Sequence, residues 1–263
     1  MPLANITEYT EDPTTKQKEA WAALQENLQT QIILEDQLDF DSSNLDGLKY
    51  IGGVDLSFIE DNHEYAVACL VVMTFPTLEV VYTEFLETRL YLPYIAGFLA
   101  FREVEPLQIL LQQLKSKQPE IYPQILLVDG NGRLHPRTCG IACHLGVVAD
   151  IPTIGIGKNF LVIEDGPHLQ MQYVKDQAKQ HLLKKGDVHY LKGDSGTVYG
   201  GAVRTTDTAP NPIFVSQGHR ISLETSIKII LATCQYRLPE PIRRADQDSR
   251  SYIRSKKESK INK

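Results

Sequence analysis

The stretch Ile51-Gly52-Gly53-Val54-Asp55-Leu56 reads as an apolar β-strand with a carboxylate set into it. An unpaired charge in an apolar interior is strongly unfavourable, so Asp55 is expected to meet a cation or to lie at an open end of a sheet. On either side of it, Lys49 to Phe58, Tyr65 to Phe75 and Thr77 to Thr88 are rich in Val, Ile, Leu and Tyr. Short polar turns separate them, Glu60 to Glu64 and then Pro76-Thr77, and the pattern predicts a three-stranded antiparallel meander. Further on, Gln124 to Val128 is a short apolar strand that runs into Asp129-Gly130-Asn131-Gly132, so a second carboxylate closes a second strand in the same manner.

The intervening and flanking segments alternate. Pro93-Tyr94-Ile95-Ala96-Gly97 is a turn-like loop. A helix is expected after it, with Pro106 at its first position and Leu107, Leu110, Leu111 and Leu114 as its apolar stripe. Thr138 to Val148 reads as a helix with Ile141 and Leu145 inward, and Pro152 to Ile156 as a strand. Upstream, Thr14 to Ile33 puts Trp21, Leu24, Leu28 and Ile32 on one face of an amphipathic helix. A looser region, Asp165 to Gly201, precedes a strand-like segment at Ile213 to Ser216. A helix capped by Ser222 follows, Leu223 to Gln235, and a last helix comes after Pro241. Three antiparallel strands followed by helix, strand, helix, strand imply an α/β fold: a ribonuclease H-like mixed five-stranded sheet flanked by helices. With no repeats and no low-complexity linker, residues 1–263 are expected to form one domain. Residues 1–40 would be its N-terminal helix and lead-in, and 247–263 a basic, partly disordered tail.

Composition narrows the class. At 263 residues, 42% hydrophobic and 23% charged, the chain has the make-up of a globular domain with a substantial core. Its longest apolar run, Tyr65 to Phe75, falls short of the roughly 18 residues of a membrane span, so no membrane partner is expected. Met1 to Glu8 lacks the character of a secretory signal. The four cysteines, Cys69, Cys139, Cys143 and Cys234, form no CxxC pair, which speaks for neither zinc nor a disulfide framework and fits a reducing compartment. The cytoplasm is the default location, with the nucleus or nucleolus as further candidates, and a monomer is assumed. A net charge of −6 argues against a simple charge-driven nucleic-acid binder. The charge is uneven, however: Arg243 to Lys263 holds eight Lys or Arg against three acids, or +5, leaving −11 for the remainder. That basic end either steers a phosphate backbone or is a solvated terminus.

If the strands that carry Asp55 and Asp129 are neighbours, both carboxylates project at one end of the sheet. Two close anions repel unless a cation joins them. An all-oxygen site of this kind suits Mg²⁺, with Mn²⁺ as a substitute. Each acid also has a plainer reading: an Asp at a strand end is commonly a turn or cap residue. Glu103, one turn before Pro106, offsets a helix dipole equally well. Asp246 in the last helix is placed to pair with Arg243 or Arg250. If all four converge, they would hold two divalent ions about 4 Å apart.

The ungapped strings decide between these readings. Asp129-Gly130-Asn131-Gly132-Arg133-Leu134-His135-Pro136-Arg137 and Pro93-Tyr94-Ile95-Ala96-Gly97-Phe98-Leu99-Ala100-Phe101-Arg102-Glu103 resemble two defining blocks of the endonuclease V family. Gly53-Val54-Asp55-Leu56-Ser57-Phe58, Pro152-Thr153-Ile154-Gly155-Ile156-Gly157-Lys158-Asn159, Gly218-His219-Arg220-Ile221-Ser222 and Arg237-Leu238-Pro239-Glu240-Pro241 agree with it in order. The resemblance runs from Gly52 to Asp246. It implies a metal-dependent endonuclease that recognises inosine in single-stranded RNA and hydrolyses the second phosphodiester bond 3′ to it. Repair of deoxyinosine in DNA is the alternative, and a non-cutting binder of inosine-containing nucleic acid a second one. By the same resemblance Asp55, Glu103, Asp129 and Asp246 would bind the metal. Lys158 would act at the scissile phosphate and His219 beside the metals. Pro93, Tyr94, Ile95, Ala96 and Gly97 would form a wedge that fills the gap left by an extruded base. Gly97, Leu99, Gly130, Gly132, His135, Ile141 and Gly155 would line the pocket that receives that base. Ala96 stands where bacterial members carry proline, and Gly157 where alanine is common, an exchange expected to be mild. The segment Glu164 to Gly196 and the lysine-rich end resemble the eukaryotic branch, whose members prefer inosine in RNA.

Overall fold

The computed structural model describes residues 9, 12–59 and 62–261. Met1 to Glu8, part of the turn expected at Glu60 to Glu64, and the last two residues of the basic end lie outside them. The chain opens with α1 (Thr15–Gln29), closed at its start by a capping box in which Thr14 and Gln17 satisfy each other's backbone. The meander follows as β1 (Tyr50–Ile59), β2 (Asn62–Thr74) and β3 (Val80–Arg89). Then come α2 (Ala100–Lys117), β4 (Ile125–Asp129), α3 (Ile141–Ala149) and β5 (Thr153–Gly157). The rest is α4 (Met171–His181), β6 (Val188–Lys192), β7 (Val198–Val203), β8 (Ile213–His219), α5 (Leu223–Thr233) and α6 (Glu240–Ile261). Among the described residues no helix is long and apolar enough to cross a membrane.

All eight strands join one mixed sheet in the order β3-β2-β1-β4-β5-β8-β7-β6. The expectation of five strands is therefore wrong: the sheet is ribonuclease H-like and flanked by helices, but it has eight. Of the three strands beyond that count, β8 covers the strand read at Ile213 to Ser216, and the two absent from the sequence reading, β6 and β7, form a hairpin within and beside the segment taken as loose. β6 is an edge strand in which only Leu191 is fully buried, and β7 carries Gly200-Gly201, so neither has the apolar density of a core strand. The hairpin signal was present in Gly193-Asp194-Ser195-Gly196, four turn-forming residues between two short runs containing Val and Tyr.

Alternation along the central strands divides the core. Leu126 and Val128 of β4 pack with Leu107 and Leu110 of α2 and with Leu145 of α3. Ile125 and Leu127 face the other way, toward Ile227 and Ile230 of α5 and Ile242 of α6. By the same two-residue period Asp129 belongs to the α5/α6 side, and so does Asp55, in phase with Ile51. The first turn of α6 can reach β1 because Gly53 has no side chain: a Cβ there would stand 2.3 Å from the backbone of Pro241. A hydrogen bond of 2.7 Å between the hydroxyls of Ser57 and Ser249 then ties the two elements further along.

Pro106 is not the first residue of α2. The helix starts at Ala100, because Ala100, Phe101 and Val104 are buried and extend the leucine stripe upstream. Pro106 sits inside it, has no N–H to give, and leaves the carbonyl of Arg102 without its helical partner. Glu103 thereby becomes a first-turn residue, as its sequence position suggested.

His144 on α3 is buried, its ring edge against Phe101 at 5.5 Å, and its Nδ1 has no hydrogen-bond partner. Burial pushes its pKa down to about 4. Below about pH 6.5 the unfolded chain takes up a proton here that the folded chain refuses, so this group costs stability as the pH falls from 6.5 towards 4. Comparison with His144→Gln isolates it from the buried carboxylates, whose effect has the opposite sign. Relative to wild type, the variant should gain roughly 2 kcal/mol in unfolding free energy between pH 7 and pH 5. Denaturant unfolding at the two pH values measures this, and parallel curves for the two proteins would refute it.

Candidate active site

The parallel register of β1 and β4 pairs Val54 with Val128, which makes Asp55 and Asp129 the next pair at the carboxyl ends of both strands. Asp55 is 5% exposed, and its Oδ2 has no hydrogen-bond partner. Burial first, then a hydrogen bond and the charge of Asp129, push its pKa up to about 9 against the pull of Lys158. Glu103 reaches the same place from the first turn of α2; burial raises it to about 8, and the Asp129 charge adds to this while Arg102 opposes it. Asp129 pairs with Ile156 in the register of β4 and β5, so Lys158, two residues on, arrives beside it. The Lys158 ammonium donates to the Asp129 carboxylate and lies 3.9 Å from Oδ1 of Asp246 on α6. Burial works against its charge, yet Asp129, Asp55 and Asp246 together raise its pKa. Asp246 is also held by Arg250, at 2.8 Å.

Four acids and one lysine expected to act together are thus brought to one end of the sheet. Two clefts meet there, one of about 380 Å³ that includes Glu103 and Leu99, the other of about 580 Å³ running along α6 past Arg250 and Arg254. Among the described residues no three acidic, histidine or cysteine side chains stand close enough to close around an ion as they are arranged. The chemistry of the site nevertheless fits a hard divalent cation. An orphaned buried carboxylate oxygen and two carboxyls driven to hold protons are what a cation would relieve, and the donors are all oxygens.

His219 does not join this cluster. It ends β8 and pairs in register with Thr153 at the start of β5, whereas Lys158 follows the end of that strand. Four strand steps of roughly 3.3 Å separate the two ends. The His219 ring instead accepts a hydrogen bond from the Ile33 backbone at 3.3 Å, holding the segment after α1. The assignment beside the metals is corrected accordingly.

A smaller pocket of about 170 Å³ adjoins the acidic clefts. Of the residues expected to line it, Gly97, Leu99, His135 and Ile141 do so. Gly130 faces the neighbouring cleft with Asp55 and Glu103. Gly132 and Gly155 line neither. They are stacked beneath the pocket, and a Cβ on Gly155 would meet the Gly132 nitrogen at 2.2 Å. The pocket adds Asn131 from the same string as Gly130 and Gly132, and residues that motif reading passed over, among them Gln25, Asn159 and Phe160. Asn131 Oδ1 is buried without a partner, and a Cβ on residue 157 would stand 2.5 Å from it. Glycine in place of alanine at 157 therefore leaves the Asn131 side chain room in its present position, which a Cβ there would make it shift.

In the loop Pro93 to Gly97, Tyr94 is 66% exposed at the mouth of the pocket. Ile95 turns inward to the cluster of Trp21 and Phe101. The Gly97 carbonyl accepts from three side chains: Gln25 Nε2 at 3.1 Å, His135 Nε2 at 3.0 Å and Arg137 Nη2 at 2.6 Å. The His135 ring is neutral, since burial lowers its pKa to about 4, and its Nδ1 accepts from the Arg137 backbone. Gln25, 1% exposed on α1, also donates to the Cys139 carbonyl and accepts from Arg137 Nε. Nothing in the sequence marks Gln25, which reads as one polar residue among several in an amphipathic helix.

An acidic centre at the strand ends of a ribonuclease H-like sheet, beside a base-sized pocket, defines a metal-dependent nuclease. The Endonuclease V family model matches residues 26–247. Human Endonuclease V is 48% identical over 208 residues, which cover 79% of this chain and 73% of that protein. The solved catalytic domain of human Endonuclease V superposes with a TM-score of 0.88 at 43% identity, covering 93% of this chain and 98% of that one. Endonuclease V from Ciona intestinalis, solved in complex with a 23mer DNA containing an inosine followed by a ribo-adenosine, gives 0.87 at 40% identity, with 92% and 99% covered. The chain belongs to the endonuclease V family, on the side of its eukaryotic members. It is accordingly a hydrolytic endonuclease with Mg²⁺ as cofactor.

The Gly97 grip yields a test. Gln25→Ala removes a donor to Gly97 and leaves the buried Cys139 carbonyl without one, a loss of about 1–3 kcal/mol. Amide hydrogen exchange across residues 94–98 should rise while that of β4 stays slow. Unchanged protection of the loop would show that Gln25 does not hold it.

Proposed function

We propose that the protein recognises inosine in single-stranded RNA and hydrolyses the second phosphodiester bond 3′ to it, leaving a 5′-phosphate and a 3′-hydroxyl. One observation carries this reading: the base-sized pocket and the cleft holding Asp55, Glu103 and Asp129 share Tyr94 and Leu99, so an extruded base and a phosphate of the same strand fit side by side. Asp55, Glu103, Asp129 and Asp246 would hold Mg²⁺. When bound, Mg²⁺ lowers the pKa of an attacking water and offsets charge on the leaving oxygen. Lys158 supplies fixed positive charge where the phosphate sits. Tyr94 offers an exposed ring to stack in the space that the base vacates, with Pro93, Ile95, Ala96 and Gly97 shaping the wedge. His135 acts through its grip on Gly97, keeping the wedge and the pocket wall in place. Asn131 Oδ1 is an acceptor without a donor, and the N1 proton that distinguishes inosine from adenosine supplies one.

The ribonucleotide that follows inosine in the Ciona ligand supports a preference for RNA at the cut, while the DNA around it keeps deoxyinosine in DNA as the second reading. All the named residues come from one chain, so a monomer suffices. The four described cysteines are free and buried, which suits a reducing compartment; the cytoplasm is the proposed place of action, with the nucleus or nucleolus second.

Matched RNA and DNA strands with one inosine, incubated in Mg²⁺ and in EDTA, test the reading. Faster metal-dependent cutting of RNA, one nucleotide past inosine, is expected; faster cutting of DNA would move the activity to DNA repair. Asp55→Asn and Asp129→Asn should abolish cutting while the inosine strand still binds, and normal turnover in either would remove that residue from the metal centre. Tyr94→Ala should weaken binding of the inosine strand by about 1–3 kcal/mol. An unchanged affinity would exclude Tyr94 from the wedge.

A further inference from the structure

A third depression, of about 680 Å³, opens on the far side of Lys158 from the acidic centre. Its volume falls in the range of about 300–1,000 Å³ typical of small-ligand sites. One wall is α4, and the floor is apolar: Val174 and Leu182 are nearly inaccessible, and the rings of Phe160 and Phe214 lie 5.4 Å apart. Leu183, 69% exposed, stands at the lip. Five of the sixteen lining residues are Lys or Arg and none is acidic, in a chain whose net charge is −6.

The cations are of two kinds. Arg204 and Arg237 give their hydrogen bonds to backbone carbonyls, Arg204 to Leu182, Thr206 and Asp207, and Arg237 to Lys158, Asn211 and Pro212. They brace the walls and leave their charge uncompensated by any bonded carboxylate. Lys175 and Lys179 stand four residues apart on α4, exposed on one face of the helix. Of the acids nearby, Asp176 accepts from Gln172, while the Asp187 carboxylate accepts from the amides of Leu183 and Lys184 and also feels the charge of Arg204 without bonding its guanidinium.

We infer that this groove is a subsite for the nucleotides immediately 3′ of the cut, with a base against the apolar floor and the phosphates at Lys175 and Lys179. The chemistry required is an anion with a flat apolar part, and a polynucleotide strand supplies both. The groove is continuous with the site already described: Lys158 belongs to both it and the acidic centre, and Asn159 and Phe160 belong to both it and the base pocket. A strand with its inosine in the pocket and its second phosphate at Lys158 therefore meets the groove next on its 3′ side. The inference rests on the endonuclease reading and deepens it.

Single-turnover cleavage in Mg²⁺ tests it, using the full chain and inosine RNAs that share one 5′ part but end one or six nucleotides past the cut. Wild type should reach half-saturation at a concentration at least fivefold lower on the longer RNA, with the maximal rate little changed. Lys175→Glu with Lys179→Glu should erase that advantage while its thermal unfolding stays that of wild type. The short RNA, which can fill only the first position of the groove, is the reference for both proteins. If length brings wild type no gain, or the gain survives in the double variant, the strand leaves by another route and the groove assignment falls while the endonuclease reading stands. If extension on the 5′ side brings the same lysine-dependent gain instead, the polarity assigned here is wrong. If wild type cuts neither RNA nor the matching DNAs, both readings fall together.

Discussion

The structure turns on two carboxyl groups forced next to one another. Asp55 and Asp129 occupy adjacent strand ends because β1 and β4 are parallel neighbours, and no rotamer choice can undo a register. Desolvation and the neighbouring carboxylate drive Asp55 to hold its proton, and Lys158 donates to Asp129 beside it. The arrangement is poor for stability taken alone, since buried ionic groups at best break even with apolar packing. It persists because the sheet over-determines it: Ile51, Val54, Leu126, Leu127 and Val128 are all fully buried around the two acids. The cost is therefore carried by the core, and its return is a site where a divalent cation meets ligands already placed.

The surrounding elements follow from that constraint. Glu103 and Asp246 must approach from opposite faces of the sheet, one from α2 and one from α6. Each helix is set by a local device that has nothing to do with acids. For α6 it is the bare Gly53, which lets Pro241 touch β1, together with the Ser57–Ser249 hydroxyl pair. For α2 it is a buried stripe strong enough to hold a helix across Pro106. On the pocket side, α1 contributes Gln25, and one carbonyl, Gly97, gathers three donors from separate segments. A loop expected to fill the gap left by a base is thus anchored at its inner end, while Tyr94 stays exposed.

How much of this the sequence disclosed depends on the range over which each signal acts. Carboxylates closing apolar strands are a local anomaly, and Asp55 and Asp129 stood out for that reason. Their convergence with Glu103 and Asp246 was legible through the motif strings, whose spacing encodes tertiary contacts that periodicity does not. His219 shows the limit of that kind of reading: its motif is genuine, but β8 runs antiparallel to β5 and carries the imidazole to the opposite end of the sheet. Gly132 and Gly155 stand in the right strings for a different reason from the one inferred, as spacers that let a loop lie on a strand rather than as pocket walls. Gln25 left almost no trace, because a buried glutamine looks like any surface glutamine in a polar helix; the β6–β7 hairpin left only its turn, because an edge hairpin needs little apolar surface.

Charge distribution joins these observations. An acidic chain that handles a polyanion has to confine its cations to the places where phosphates pass. Lys158 lies at the meeting of the routes. From it one cleft runs along α6 past Arg250 and Arg254, and the groove under α4 opens beside it without a single acid in its lining. Arg250 is neutralised by Asp246, whereas the guanidiniums of Arg204 and Arg237 are spent on carbonyls and keep their charge. A carbonyl-bound guanidinium braces a wall and still attracts a phosphate, two roles that a salt-bridged arginine cannot combine. Part of the positive potential of this molecule is in this way built into the same contacts that hold its loops, and the exposed Lys175 and Lys179 add to it at the rim of the groove.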